Sequence, residues 1–156
     1  MGIVAAAAIA TVSARTLMKP APAARFTTLS GETFSTAELR GKVVLVNFWA
    51  TYCGACLKEM PQLVDTHRKF ASRGYETIAI AVRHDSPERV AGFAASRALP
   101  FQIAYDRTGE LAKEFGNVRI TPTSFLIDKR GRVIWRAVGE PNWSELHQRV
   151  ESALGS

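Results

Sequence analysis

Cysteine and histidine are scarce: the chain has 2 of the former and 3 of the latter in 156 residues. Two cysteines cannot build a disulfide-dense scaffold, and alone they cannot fill a four-ligand zinc site. Apolar runs are short. None reaches the ~20 residues that a bilayer-spanning helix needs, which excludes a multi-pass membrane protein. No internal repeat is present. Acidic residues are the minority, 14 against 20 Lys and Arg, for a net charge of +6. That balance permits acidic partners. The bases are nevertheless scattered (Arg40, Lys58, Arg73, Arg97, Arg119), with one denser stretch at Lys129, Arg130, Arg132 and Arg136. No aromatic motif of the RNA-binding type lies between them, so they read as a solvated face and nucleic acid is not an expected partner. The remainder, 47% hydrophobic and 22% charged, is the composition of one soluble domain long enough to form a core without staples.

Residues 1–24 read as a segment apart. Ile3 to Val12 is an apolar run of signal-peptide length, followed by a small-residue cleavage-like Val12-Ser13-Ala14. No Lys or Arg precedes it. Two readings stand: an export signal or anchor, complete or shortened at its front, and an Ala-rich terminal helix. The first places the protein outside the cytoplasm, in the periplasm, cleaved free or tethered to the inner membrane. Lys19-Pro-Ala-Pro-Ala-Ala then reads as a stiff linker, and the domain is expected over 25–156.

Within the domain, Phe26 to Phe34 alternates around Gly31 and predicts a hairpin. A short helical turn follows at Ser35–Arg40. Lys42 to Trp49 is a nearly unbroken apolar run, the mark of a strand buried on both faces. Cys53 to about Arg73 repeats apolar residues at helical spacing, with Pro61 inside, where it is expected to kink the helix, and Gly74 closing it. Glu76 to Val82 predicts a second buried strand. Ser86-Pro87 opens a helix running to about Ala98. Phe101–Ala104, then Thr108 or Gly109 to Phe115, predict a strand and a short helix. Thr123–Asp128 and Arg132–Val138 predict a hairpin turning at Gly131. A final helix starts at Asn142 or Ser144 and reaches Leu154. Alternating strands and helices followed by a hairpin argue for an α/β sandwich, with a mixed sheet and helices on both faces.

The chemistry concentrates at Cys53-Gly-Ala-Cys56, at a strand-to-helix junction. Residues i and i+3 are neighbours in a first helical turn, close enough for a disulfide. A helix N-terminus presents free N–H groups and partial positive charge, which favour a thiolate at Cys53, the form that attacks a disulfide. Cys56, one turn in, is the natural resolving thiol. A metal reading stays open. There is no second CxxC, and His67 lies eleven residues on, about 16 Å along a helix. His84 or His147 would have to arrive through the fold. Haem attachment needs a histidine where Leu57 stands.

The stretch Val46-Asn-Phe-Trp-Ala-Thr-Tyr-Cys-Gly-Ala-Cys-Leu-Lys-Glu-Met-Pro61, with Thr121-Pro122-Thr123 and the strand after it, resembles the active-site segments of thioredoxin-fold proteins. It is most similar to the TlpA-like and ResA-like extracytoplasmic thiol–disulfide oxidoreductases. The resemblance covers Phe26 to Leu154 and implies a three-layer sandwich, with Ser86–Ala104 as a helix–strand insertion. It implies that Cys53 attacks, that Cys56 resolves, and that the bond before Pro122 is cis. The Thr121 backbone would then lie beside the cysteine pair, where it can hydrogen-bond an extended substrate strand. Glu59 matches a glutamate that assists proton transfer. Trp49 matches an aromatic packed under the site, and Tyr52 stands where many relatives carry Trp; both join Thr121 and Pro122 as candidate substrate-binding residues. Asn47 takes the place of thioredoxin's buried Asp, which shifts weight onto Glu59. Ala55 stands where many relatives have Pro. His67, Trp135 and Trp143 read as packing residues.

The expectation is a monomeric thiol–disulfide oxidoreductase with no small cofactor and no metal. The resemblance implies disulfide-bearing clients, such as apocytochrome c or copper-site assembly proteins, and a membrane thiol-reductant donor. A copper carrier using Cys53 and Cys56, a thiol peroxidase and a non-catalytic interaction module are the alternatives. Peroxiredoxins carry Pro and Thr where this chain has Val46 and Ala50.

Overall fold

The computed structural model describes residues 18–156. The apolar run at 3–12 and the cleavage-like site after it lie outside the described residues. Eight strands and four α-helices follow in order: β1 (Lys19–Pro20), β2 (Arg25–Thr27), β3 (Thr33–Ser35), β4 (Val43–Trp49), α1 (Gly54–Phe70), β5 (Tyr75–Ala81), α2 (Pro87–Ser96), β6 (Gln102–Tyr105), α3 (Glu110–Glu114), β7 (Thr123–Ile127), β8 (Arg132–Val138) and α4 (Trp143–Leu154). Short 3-10 turns sit at Thr36–Leu39 and Ala71–Arg73.

The main sheet runs β1-β8-β7-β4-β5-β6, and β2 and β3 form a separate hairpin. β4, β5 and β6 are parallel, joined through α1 and α2; β7, β8 and β1 are antiparallel. β4 is buried along its whole length, because helices cover one face and α3 with the hairpin cover the other. Its alternation decides which side chain goes where. Val43, Leu45 and Trp49 join Met60, Leu63 and Phe70 of α1, Val90 of α2, and Leu146 and Val150 of α4. Val44, Val46 and Phe48 join Phe26, Leu111, Phe115 and Phe125 on the opposite side. Each fully buried Leu or Phe contributes about 1.5–3 kcal/mol, so the two clusters hold the layers together.

The helix starts follow from side-chain caps. Ser86 accepts from the Arg89 N–H and Asn142 from the Glu145 N–H, so each helix begins one residue after its cap. α1 continues unbroken through Pro61. Asp128, Gly131 and the Arg132 side chain build the β7–β8 turn, with Gly131 at φ 77°.

Two features differ from the sequence expectation. Lys19 and Pro20, read as linker, pair with Val133 and Arg132 as an edge strand. Edge pairing suits a proline, which has no N–H to give. Ala24 is buried too, so the packed part of the chain reaches back past residue 25.

The topology defines the working edge. The C-terminal ends of parallel β4, β5 and β6 emerge together, where open α/β sheets bind their ligands. β7 runs opposite to β4 with Thr123 facing Phe48, so the loop that enters β7 arrives beside the loop that leaves β4.

Candidate active site

Cys53 is the N-cap of α1, and its Sγ accepts a hydrogen bond from the Cys56 N–H at 3.2 Å. The chain cannot be helical at Cys53 itself, because its backbone is extended there (φ −94°, ψ 106°). That extension turns its sulfur back over the first helical turn. Cys53 and Cys56 are joined in a disulfide with Cα atoms 5.2 Å apart. Cys56 is wholly buried, whereas Cys53 keeps partial exposure. The sulfurs are thus unequal: one faces the solvent, the other faces the core.

The expected neighbours are brought together. The Thr121–Pro122 bond is cis, and the Thr121 carbonyl oxygen lies 3.5 Å from Cys53 Sγ. Pro122 is buried and its carbonyl accepts from the Gly139 N–H, tying this loop to the end of β8. Tyr52 is 57% exposed beside the pair. Trp49 is different. It is fully buried, with its ring 5.4 Å from that of Phe93. It packs under the cysteines and offers no surface to a docked chain in this oxidised form.

Beneath Cys56, Glu59 is completely buried on the next turn of α1. The alternation of β4 aims Asn47 at the same layer. Asn47 Nδ2 donates to Glu59 Oε1 at 2.8 Å and to Ser124 Oγ at 3.0 Å. Three elements, β4, α1 and β7, therefore meet at one amide. Burial pushes the Glu59 carboxyl up to about 7; the Asn47 bond pulls it down, and the charge of Glu140 pushes it up. Glu59 Oε2 and Asn47 Oδ1 have no partner among the described residues. Two buried acceptors without a donor disfavour a carboxylate and favour the protonated acid. The result is a carboxyl poised to change its protonation near neutral pH.

Asp85 was not legible as part of this site. Its carboxylate accepts from the Thr51 N–H at 2.6 Å, the Thr51 hydroxyl at 2.7 Å and the Ser86 N–H at 2.8 Å. It pins the loop that presents Cys53 to the loop that follows β5. The sequence shows only His-Asp-Ser-Pro, a helix-start pattern in which Ser86 is the cap; nothing local says that Asp85 reaches back 34 residues. Asp85→Ala is expected to cost about 1–3 kcal/mol of stability. Amide exchange at Thr51 should accelerate, and unchanged exchange there would show that the loop does not depend on Asp85.

The histidines do not converge on the cysteines. His67 is buried against Thr77 and held below its usual pKa by burial, opposed by Glu76. His147 bonds Thr66. Among the described residues no group of three or more His, Cys, Asp or Glu is arranged to hold a metal ion. No helix among them is long and apolar enough to cross a membrane. Trp135 is buried and Trp143 half-buried.

Chemically, this is an oxidised dithiol at a helix N-terminus, with a backbone acceptor on one side and a proton-exchanging carboxyl below. The chain as a whole is similar to known proteins. The Redoxin family profile matches residues 17–154. Thiol-disulfide oxidoreductase ResA of Bacillus thuringiensis subsp. konkukian is 37% identical over 133 residues, 85% of this chain and 76% of that protein. Thioredoxin-like protein YneN of Bacillus subtilis is 34% identical over 135 residues, 84% and 76% of the two chains. The crystal structure of a thiol:disulfide interchange protein of the thioredoxin family from Chlorobium tepidum TLS superposes with a TM-score of 0.79 at 34% identity, covering 88% of this chain and 97% of that one.

Proposed function

The chain belongs to the Redoxin family and is a thiol–disulfide oxidoreductase with a thioredoxin-like fold, and from that premise we propose that it reduces disulfides in extracytoplasmic client proteins. The observation that carries this reading is the asymmetric Cys53–Cys56 disulfide at the start of α1, its outer sulfur beside the Thr121 carbonyl.

The cycle starts from the reduced pair. The Cys53 thiolate attacks one sulfur of a client disulfide, forming a mixed disulfide and releasing the client's other sulfur as a thiolate. Cys56 gives its proton to the Glu59 carboxylate. The Cys56 thiolate then attacks Cys53 Sγ, breaks the mixed disulfide, and releases the client's second sulfur as a thiolate; the Glu59 acid and water return the two protons that make the client a dithiol. The client gains two electrons and the pair is oxidised to the form described above. The α1 N-terminus and the Cys56 N–H stabilise sulfur charge at Cys53 in the first step. The Thr121 backbone lines up an extended client strand, and Pro122 and Tyr52 flank it. A membrane thiol donor returns two electrons to close the cycle.

Clients of cytochrome c maturation or copper-site assembly, a periplasmic location and a monomeric state rest on the family resemblance. So does a role for the apolar run at 3–12 as signal or tether, ahead of the working domain. The name of the ResA relative supports the chemistry. The test is trapping. Cys56→Ala expressed in the native compartment is expected to accumulate clients covalently joined to Cys53 and released by dithiothreitol. Finding no adduct there would reject the proposed order of attack.

A further inference from the structure

A client disulfide that reaches Cys53 must lay its flanking residues over the neighbouring surface. One side of that surface is a cleft of about 470 Å³ between the loop after β5, α3 and the loop that enters β7. Tyr52 and Thr121 form the wall nearest the redox pair, and Arg83, His84, Lys113 and Arg119 line the cleft together with apolar Val82, Ala112 and Val118. All four of these basic side chains are exposed. Among the described residues, none of Arg83, Lys113 and Arg119 lies within 4.0 Å of a carboxylate oxygen.

One carboxylate borders the cleft, and it is already committed. Asp106 is buried, and its oxygens accept from the N–H groups of Gly109, Leu111 and Ala112 at 3.0, 3.2 and 3.0 Å. Arg83 is seated rather than loose. Its Cδ lies where a Cβ on Gly109 would be only 2.8 Å away, and its Nε donates to His84 Nε2 at 3.1 Å. Gly109, at φ 83°, is what leaves room for that stem. Three cations thus share a concave surface whose Thr121 wall lies beside the reactive sulfur, without an anion of their own. Such an arrangement focuses positive potential and favours a negatively charged ligand.

We infer that the cleft recognises an acidic polypeptide segment flanking the client's disulfide, with Arg83, Lys113 and Arg119 as the specificity-determining side chains. This rests on the reading of Cys53 and Cys56 as the exchanging pair. Electrostatic pairing of exposed groups acts mainly on the rate of encounter and weakens with salt.

The experiment uses the full chain, chemically reduced, and three cyclic disulfide peptides differing only in four flanking residues: glutamates, glutamines or lysines. The second-order rate constant of each reduction is read at low and high ionic strength. The acidic peptide is expected to react about 10-fold faster than the lysine peptide at low salt, with the ratio falling towards one at high salt. In the triple variant Arg83→Glu, Lys113→Glu, Arg119→Glu the ratio is expected to invert, and in the glutamine triple variant to collapse. Because each ratio is taken within one protein, a general loss of activity does not disguise it, and thermal unfolding checks that each variant is folded. A flat ratio in the parent, or one that survives charge reversal, overturns the inference. So does charge-dependent binding to vesicles of anionic phospholipid without peptide selectivity, which would assign the cleft to a membrane surface. Neutral 2-hydroxyethyl disulfide, tested on the parent, separates the two layers. If it is reduced while the peptide ratio is flat, the cleft assignment alone fails; if neither it nor any peptide is reduced, the redox reading fails as well.

Discussion

Replacing Cys53 with serine is expected to slow disulfide reduction by about 10³-fold or more, because a hydroxyl is not ionised near neutral pH and does not attack sulfur. The structure makes the two cysteines non-equivalent. Cys53 is reachable and receives the Cys56 N–H at the start of α1; Cys56 is sealed in the core cluster with Trp49 and Met60. Cys56→Ser should therefore behave differently. It is expected to keep the first attack at a comparable rate and to stall as a mixed disulfide, lacking the sulfur that releases the client. Rapid-mixing kinetics with mass analysis of the products distinguishes the two. Should Cys53→Ser retain reduction while Cys56→Ser forms no adduct, the roles would be reversed and the burial argument would be wrong.

Glu59→Gln carries the second large effect, on rate and on stability together. In the parent, the step in which Cys56 displaces the client should accelerate as pH rises through about 7, where the buried carboxyl loses its proton and becomes a base. In the glutamine variant that inflection should vanish, and the step at pH 8 should be slower by about 10²-fold. Gln keeps the shape and can still accept from Asn47, so the loss reports proton transfer rather than packing. A profile that keeps its inflection near 7 in the variant would assign that titration to another group.

The stability effect has the opposite sense. The carboxyl titrates at its ordinary value near 4.5 when unfolded and about 7 when folded. Between those values the folded chain holds the proton more tightly. The stability this group contributes is therefore complete below pH 4.5 and is lost as pH rises through about 7, by about 3 kcal/mol. Buried His67 and half-buried His147 work against it: their folded values are lowered by desolvation, so their contribution is present above their unfolded value and lost as pH falls. The difference between parent and Glu59→Gln isolates the carboxyl. Urea unfolding of the oxidised proteins at pH 5 and pH 8 is expected to show that the variant gains on the parent as pH rises. A constant difference would mean that Glu59 is ionised throughout and that its buried neighbours solvate it.

Most of the fold could be read before the structure, for a local reason. β4 was visible because seven consecutive residues that are buried on both faces must be apolar, and the single exception, Asn47, marks where the strand meets the buried carboxyl. The caps at Ser86 and Asn142 were visible because a cap acts three residues along the chain. Tyr52, Cys53 and Cys56 are one stretch, and Glu59 follows one turn later. The misreading at Lys19–Pro20 has the same origin. Extended proline-rich backbone looks alike whether it is solvated or paired, and only the presence of β8 alongside it decides.

The amino-acid string alone settles that two sulfurs sit one helical turn apart where a strand gives way to a helix, since spacing, periodicity and capping act over a few residues. It does not settle that Asn47 joins Glu59 to Ser124, 77 residues from Asn47, that Asp85 holds Thr51, or that Arg83, Lys113 and Arg119 share one cleft. Those are decided by β7 running antiparallel to β4 and by the parallel strands ending at a common edge. Packing brings distant residues together there, and the same packing removes the water that would otherwise keep Glu59 an ordinary carboxylate.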